Sequence, residues 1–490
     1  MNHLARPALV VGLLTEAIYL AAVTGPFSFL AHGQNLLDLG KLTGYSSVAA
    51  IAVTVGLLGL FLFYALALRD IAANGQSALP LALIGTLVFS VTLVFMYPVT
   101  AIDVYNYAVQ GHVAFFYHVN PLAAAPSSIT GDPFVAYGST WADTTSPYGP
   151  IWIFLSIVDA WLAGPNVIIA VLALKGLAAL AIVGTAGLLA WAAQRAGRNP
   201  ALAVVYFGWN PLVLIELAGN GHNDAVLTLF VVAGLILARH RWPTLAVACL
   251  TAAVLVKSLP IAAIPLLFVW LLSQHGSFWR LRVPTIFAAF IVMLSVLVAG
   301  YAPFWAGWET LARLREVNAN YLASIPALIV LLVPSATDWL TIPQMAVLSL
   351  VGLGLVWLVW QRRVPLERAV VEIIFATILV ATHFAGWYLP LLIGVAALTD
   401  DSWVWLRMVV FTFTTTLTTP LWQFVFPWTR DWLSMEAFHL IVVPWTFLPP
   451  LAIGLWELGR ARTAKRRLAS PVPWPGPARE LATSRIRDAG

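Results

Sequence analysis

No charged residue occurs between Lys41 and Arg69, between Asp70 and Asp103, between Arg282 and Glu309, or between Asp338 and Arg362. Uninterrupted apolar stretches of this length match the roughly 20 residues that an α-helix needs to cross a bilayer. They do not alternate apolar and polar residues, as the strands of an outer-membrane barrel would. Charged residues make up only 10% of the chain, against about a quarter in a soluble domain. A chain so poor in charge cannot coat a globule with water-facing side chains, which excludes a soluble enzyme, a disordered protein and an ordinary nucleic-acid binder. The expected fold class is an all-α polytopic membrane protein.

The net charge of +5 then mainly reports cytoplasmic loops. Placing Arg6, Arg195/Arg198, Arg239/Arg241, Arg280/Arg282, Arg362/Arg363/Arg368 and the Arg460–Arg467 tail inside gives alternating crossings, about thirteen to fourteen. Spans are expected near 8–30, 46–68, 79–100, 165–194, 200–218, 225–238, 243–257, 259–272, 283–303, 343–360, 369–384, 386–399, 402–424 and 437–456. The short stretch Ile151–Ala163 reads as a half-inserted or interfacial helix, and 8–30 as a retained first span rather than a signal peptide. Residues 1–458 form one transmembrane domain, and the basic, Pro-rich tail 459–490 is expected to be disordered. Both termini are expected in the cytoplasm, with 101–150, 219–224, 304–342 and 384–388 on the outer face of a plasma membrane. The lone Cys249 can form no internal disulfide and reads as a small buried hydrophobe.

Polar chemistry concentrates in those outer segments. In Asp103-Val-Tyr-Asn-Tyr-Ala-Val-Gln, a helix would place Asp103, Tyr107 and Gln110 on one face and Val104 and Ala108 on another. A carboxylate at the start of such a helix can serve as general base toward a hydroxyl, or simply cap the helix. In Gly219-Asn-Gly-His-Asn-Asp224, the side chains of His222, Asn223 and Asp224 can bind phosphate or sugar hydroxyls, or Asp224 can cap the next helix. A divalent cation fits this turn only in part, since one His and one Asp are too few ligands; no cofactor or metal is expected.

Lys257, followed by Pro260, marks a helix break where an ammonium needs an anion or an interface to reach. Arg313 and Arg315 are cations on the side where cations are scarce; they can fork onto phosphate or pair with Glu309 and Glu316. Trp387 and Tyr388 can anchor an interface or stack on sugar rings. Glu16, Lys175, Glu216 and Glu372 lie within apolar spans, and Asp159 within the half-helix. Such charges are functional candidates by default.

The order Asp-Val-Tyr-x-Tyr (103–107), Asn120-Pro121, Ser-Pro-Tyr-Gly-Pro (146–150), Trp-Asn-Pro-Leu (209–212), Gly-Asn-Gly-His-Asn-Asp (219–224), Val-Lys (256–257) and Trp-Tyr-Leu (387–389) resembles the bacterial polyprenol-phosphate-mannose-dependent alpha-(1→6)-mannopyranosyltransferases of the GT-C superfamily. The resemblance covers about residues 80–400. It implies a GT-C-type bundle with a large first outer loop, a mannose-bearing polyprenyl-phosphate donor, and a lipid-linked or cell-envelope glycan acceptor. It also implies an outer-face catalytic carboxylate, which maps onto Asp103. Tyr105, Tyr107, Gln110, Tyr148, His222, Asn223, Asp224, Lys257, Arg313, Arg315, Trp387 and Tyr388 are the expected substrate-binding residues. The rival reading is a multi-pass transporter or flippase for lipid-linked sugars, with the embedded charges as its path; a non-catalytic assembly subunit is a third.

Overall fold

The computed structural model describes residues 6–274, 279–311 and 321–469. Its principal helices, in chain order, begin with α1 (Pro7–Thr24), α2 (Ser47–Asn74), α3 (Leu79–Val94), α4 (Asp103–Tyr117), α5 (Pro150–Ala163) and α6 (Val167–Arg195). Next come α7 (Pro200–Gly208), α8 (Pro211–Gly219), α9 (Asp224–Arg239), α10 (Pro243–Val256) and α11 (Leu259–Ser273). The chain continues with α12 (Val283–Phe304), α13 (Ile325–Leu332), α14 (Thr341–Trp360), α15 (Leu366–Val380), α16 (Gly386–Ala396), α17 (Ser402–Thr416) and α18 (Met435–Ala469). Among the described residues no strand forms, only isolated bridges.

Six of these helices (α1, α2, α6, α12, α14 and α18) are long and apolar enough to cross a membrane alone, and the bent pair α7–α8 makes a seventh. Five shorter apolar helices, α3, α5, α10, α11 and α16, accompany them. The expected thirteen to fourteen crossings therefore include segments too short to span singly at 1.5 Å per residue. The long 28-residue α2 and 29-residue α6 match the sequence reading. The expected span 79–100 is cut at Val94 by the approach to Pro98, which has no N–H for a helix. The boundary expected at 458 falls inside α18, which runs on to Ala469. Residues 470–490, the rest of that tail, lie outside the described residues.

Burial sorts the helices. α6 is central and buries half of its spanning window, whereas α12 and α14 leave nearly all of theirs exposed. Phe287, Val298, Ile342, Leu350 and Leu353 stand on their surfaces, an apolar coat that suits lipid and not water. Most of the embedded charges are partnered, whereas neither carboxylate oxygen of Asp159 has a hydrogen-bond partner among the described residues. Glu16 accepts from the Thr92 hydroxyl, Lys175 donates to the Met96 carbonyl, and Glu372 pairs with Arg368 and Arg407.

The span expected at 200–218 is broken. Trp209 buries its indole between helices, donating to the Ala82 carbonyl at 2.9 Å. A side chain at Gly85 would strike that ring at 2.5 Å. Asn210 then caps a new helix, its Oδ1 accepting from the N–H groups of Leu212 and Val213 at 3.0 and 3.3 Å, and Pro211 occupies the first turn. The axis bends by 57°. The second half, Ile215–Gly219, is wound as a π-helix, a geometry that often marks functional sites. It delivers the Gly219–Asp224 turn to the same end of the bundle as the start of α4.

Candidate active site

Two aspartates begin two helices at this end. Asp103 is the first residue of α4, and Ile102 precedes it with no side-chain cap. Asp224 is the first residue of α9, after an Asn223 that likewise caps nothing. Neither carboxylate caps its helix, although each sits where the helix dipole favours negative charge. Both side chains turn to partners elsewhere in the chain.

Asp103 receives the Tyr148 hydroxyl at 3.0 Å on Oδ1. The Ser-Pro-Tyr-Gly-Pro strap sets this contact. Ser146 N–H donates to the Pro121 carbonyl at 2.7 Å, and Ser146 Oγ accepts from Tyr148 N–H at 3.2 Å. Gly149 N–H donates to the Val256 carbonyl at 3.0 Å. A Cβ at Gly149 would lie 2.2 Å from the Leu255 carbonyl oxygen, so only glycine lets the strap lie against the end of α10. Burial, together with the Asp103 carboxylate, pushes the Tyr148 phenol well above its ordinary range. It stays a proton donor. Tyr107 packs edge-on to Tyr148 and Trp152, at 4.9 and 5.0 Å between ring centres.

Asp224 is wholly buried, and Lys257 Nζ lies 3.1 and 2.8 Å from its two oxygens. Lys257 ends α10 in an extended conformation (φ −159°, ψ 140°). Its ammonium also stands 4.7 Å from the centre of the Tyr388 ring, a cation–π distance. The anion that this lysine requires is thus supplied by the chain itself. An ammonium has three N–H donors, and Asp224 engages it from one side.

His222 stacks on Trp387 at 4.2 Å and 25°, and its Nε2 comes within 3.4 Å of Glu216 Oε2. His383 stands 6.5 Å from the Trp387 ring. The His383 backbone is pinned by the neighbouring pairs Leu322 N–H to Thr382 carbonyl and Phe384 N–H to Leu322 carbonyl, at 3.1 and 3.0 Å. Burial first, then the Lys257 ammonium, holds the His383 imidazole below its ordinary pKa, with Asp103 acting the other way. At neutral pH the imidazole is uncharged, able to donate from one ring nitrogen and accept at the other. The Gly149–Val256 hydrogen bond fastens the Tyr148 strap to the residue before Lys257, which ties the two aspartate clusters into one site.

Of the residues expected from sequence, Asp103, Tyr107, Tyr148, His222, Asp224, Lys257, Trp387 and Tyr388 come together here. Asn223 is buried beside them, with neither side-chain polar atom hydrogen-bonded. Tyr105 is turned away: its hydroxyl donates to the Gly33 carbonyl at 2.7 Å and its ring stacks on Tyr137. Gln110 is further along α4, donating to Asn106 Oδ1 at 3.2 Å. Arg313 and Arg315 lie outside the described residues. His222 and Asp224 face different partners, and among the described residues no three His, Cys, Asp or Glu side chains converge on a cation position.

Sequence reading named Glu216 as an embedded charge but missed the polar group around it. Its carboxylate accepts from the Thr100 hydroxyl at 3.0 Å and from Asn220 Nδ2 at 3.0 Å. It borders a cavity of about 190 Å³ that also includes His383, Trp387, Thr415, Thr418 and Gln423. The available signal was the run Thr414-Thr415-Thr416-Leu-Thr418-Thr419, unusual in an otherwise apolar segment.

Comparison with known proteins gives the arrangement a family. Residues 8–274 match the family model described as alpha-(1->6)-mannopyranosyltransferase, N-terminal domain. The alpha-(1->6)-mannopyranosyltransferase A of Corynebacterium glutamicum is 26% identical over 312 residues, covering 59% of this chain and 62% of that protein. The protein of the same name from Mycobacterium tuberculosis is 26% identical over 333 residues, covering 66% of this chain and 60% of that protein. The chain thus spans about three fifths of the length of these relatives. No solved structure matches it. The matched region carries both aspartates, the Tyr148 strap, the Gly219–Asp224 turn and Lys257, and since it takes in more than half of the sequence, the chain belongs to the alpha-(1->6)-mannopyranosyltransferase N-terminal domain family.

Proposed function

We propose that the protein is a membrane glycosyltransferase. It moves a mannosyl group from a polyprenyl-phosphate donor to a hydroxyl of a lipid-linked or cell-envelope glycan, on the outer face of the plasma membrane. The observation that carries this reading is the Asp103 carboxylate at the head of α4, held by Tyr148 beside the Asp224–Lys257 pair and His383. The names of the relatives supply the sugar and the reaction class.

In this mechanism the acceptor hydroxyl attacks the anomeric carbon. Asp103 takes its proton, and the bond to the donor phosphate breaks with its electrons going to the phosphate oxygen. A single displacement of this kind inverts the anomeric centre. Lys257, positioned by Asp224 and Tyr388, offers its free N–H to the leaving phosphate, where negative charge grows. Tyr148 fixes the carboxylate so that one oxygen remains for the incoming hydroxyl. An activated phosphate leaves without a second carboxylic acid, which separates this site from the paired carboxylates of glycoside hydrolysis.

The test of donor class uses the purified full chain in nanodiscs with a membrane glycolipid fraction as acceptor. Label should pass from radiolabelled polyprenyl-phosphate mannose to the glycolipids and not from a nucleotide-linked mannose. Transfer from the nucleotide sugar alone would overturn the donor assignment, and transfer from neither would overturn the enzyme reading. Of the embedded charges on which a transporter reading would rely, Glu16, Lys175 and Glu372 are occupied within the chain.

A further inference from the structure

The cavity beside Glu216 has a composition unlike that of the Asp103–Lys257 cluster. It is bordered by Thr100, Glu216, His383, Trp387, Thr415 and Gln423, and among the described residues no lysine or arginine lines it. At about 190 Å³ it is many times the space one water needs. Two of its polar groups have nothing to bond: Thr415 Oγ1, on a residue only 6% exposed, and His383 Nδ1. Buried polar atoms are almost always satisfied, so orphaned ones on a cavity wall point to a ligand that carries hydroxyls. An indole beside them, itself held by stacking on His222, offers an apolar face to a sugar ring.

We infer that this cavity is the acceptor subsite, which takes the neutral terminal sugar of the glycan. The inference rests on the transferase reading and assigns the second substrate. Charge decides between the two substrates. A phosphate placed beside the Glu216 carboxylate, with no lysine or arginine among the described lining residues, is repelled, so the donor head group stays with Lys257. A neutral polyol is welcome there, because a carboxylate accepts hydrogen bonds from adjacent hydroxyls. Glu216 on its wall meets His222 at 3.4 Å, in the turn that ends at Asp224, so a sugar held there lies beside the Asp224–Lys257 pair.

The probe is octyl α-D-mannopyranoside, with binding to the full chain in nanodiscs followed by saturation-transfer NMR and titration calorimetry. Transfer kinetics are measured in parallel with donor and acceptor varied separately. Thr415→Val is the cleanest variant: it removes a hydroxyl without a partner and keeps the side-chain shape, so folding is preserved. Glu216→Gln tests the charge. Wild type and Asp103→Asn should bind the mannoside alike. Glu216→Gln should weaken binding roughly ten- to hundredfold and Thr415→Val about three- to tenfold. Each should raise the acceptor KM by a similar factor and leave the donor KM unchanged. Equal binding by wild type and both variants, or a rise in donor KM instead of acceptor KM, would overturn the inference. Transfer by the wild type in the same assay would then leave the transferase reading intact.

Discussion

At the scale of single residues, the site depends on two carboxylates with different partners. Asp103 holds one tyrosine hydroxyl, whereas Asp224 is fully buried and neutralised by Lys257. Tyr148→Phe keeps the ring against Tyr107 and removes only the donor, so kcat should fall about three- to tenfold with the unfolding temperature unchanged. Transfer kinetics and thermal unfolding in detergent check this together. Lys257→Met has a larger consequence: the buried Asp224 loses its counter-charge, which costs about 3–5 kcal/mol. Adding Asp224→Asn should restore most of that stability and leave the donor KM raised. Full recovery of donor kinetics in the double variant would remove Lys257 from phosphate binding. The sequence made most of these residues visible, because polar side chains in an apolar chain stand out. It could not show that Lys257 and Asp224 answer each other, since 33 positions separate them and each had a plausible local partner, an interface or a helix end.

At the scale of elements, short motifs act as joints. The Asn210-Pro211 break turns α8 by 57° and lets its π-wound end aim Glu216 and the Gly219–Asp224 turn at α4. The strap at 146–150 is a second joint, clamped to α10 by Gly149. Gly149→Val should push the strap off the Leu255 carbonyl, lowering stability by about 1–3 kcal/mol and transfer by a larger factor, because Tyr148 moves with it. Parallel unfolding and activity curves measure both. Proline, asparagine and glycine announced these joints in the sequence. The early end of α3 was legible only in part, since Pro98 marks a break nearby without placing it at Val94. Residues 95–100 are apolar enough to continue a helix, but their backbone is taken by distant partners, with Tyr97 N–H donating to the Phe27 carbonyl and Val99 N–H to Asn220 Oδ1. The Glu216 cavity was hidden for the same reason: its walls come from segments hundreds of residues apart.

At the scale of the whole molecule, the all-α membrane bundle follows from the lack of charge, but the number of crossings does not. Hydropathy counts apolar segments, and several here are too short to span and pack instead against longer helices such as α6. The alternation of arginine clusters predicts that the Arg460–Arg467 end is cytoplasmic and that 101–150 lies opposite it. In a Cys249→Ala background, a cysteine at Ser139 should react with an impermeant reagent from outside only, and one at Arg460 from inside only. Exclusive cytoplasmic labelling at Ser139 would reverse the orientation and take the site from the outer face. The central claim is that this bundle carries out glycosyl transfer with Asp103 as its base, and the most direct test is the rate of mannosyl transfer from polyprenyl-phosphate mannose by Asp103→Asn. A general base contributes about 10²–10⁴-fold, so the variant should fold, bind donor normally and turn over at roughly a hundredth of the wild-type rate or less, whereas turnover above about a tenth of wild type would contradict the assignment.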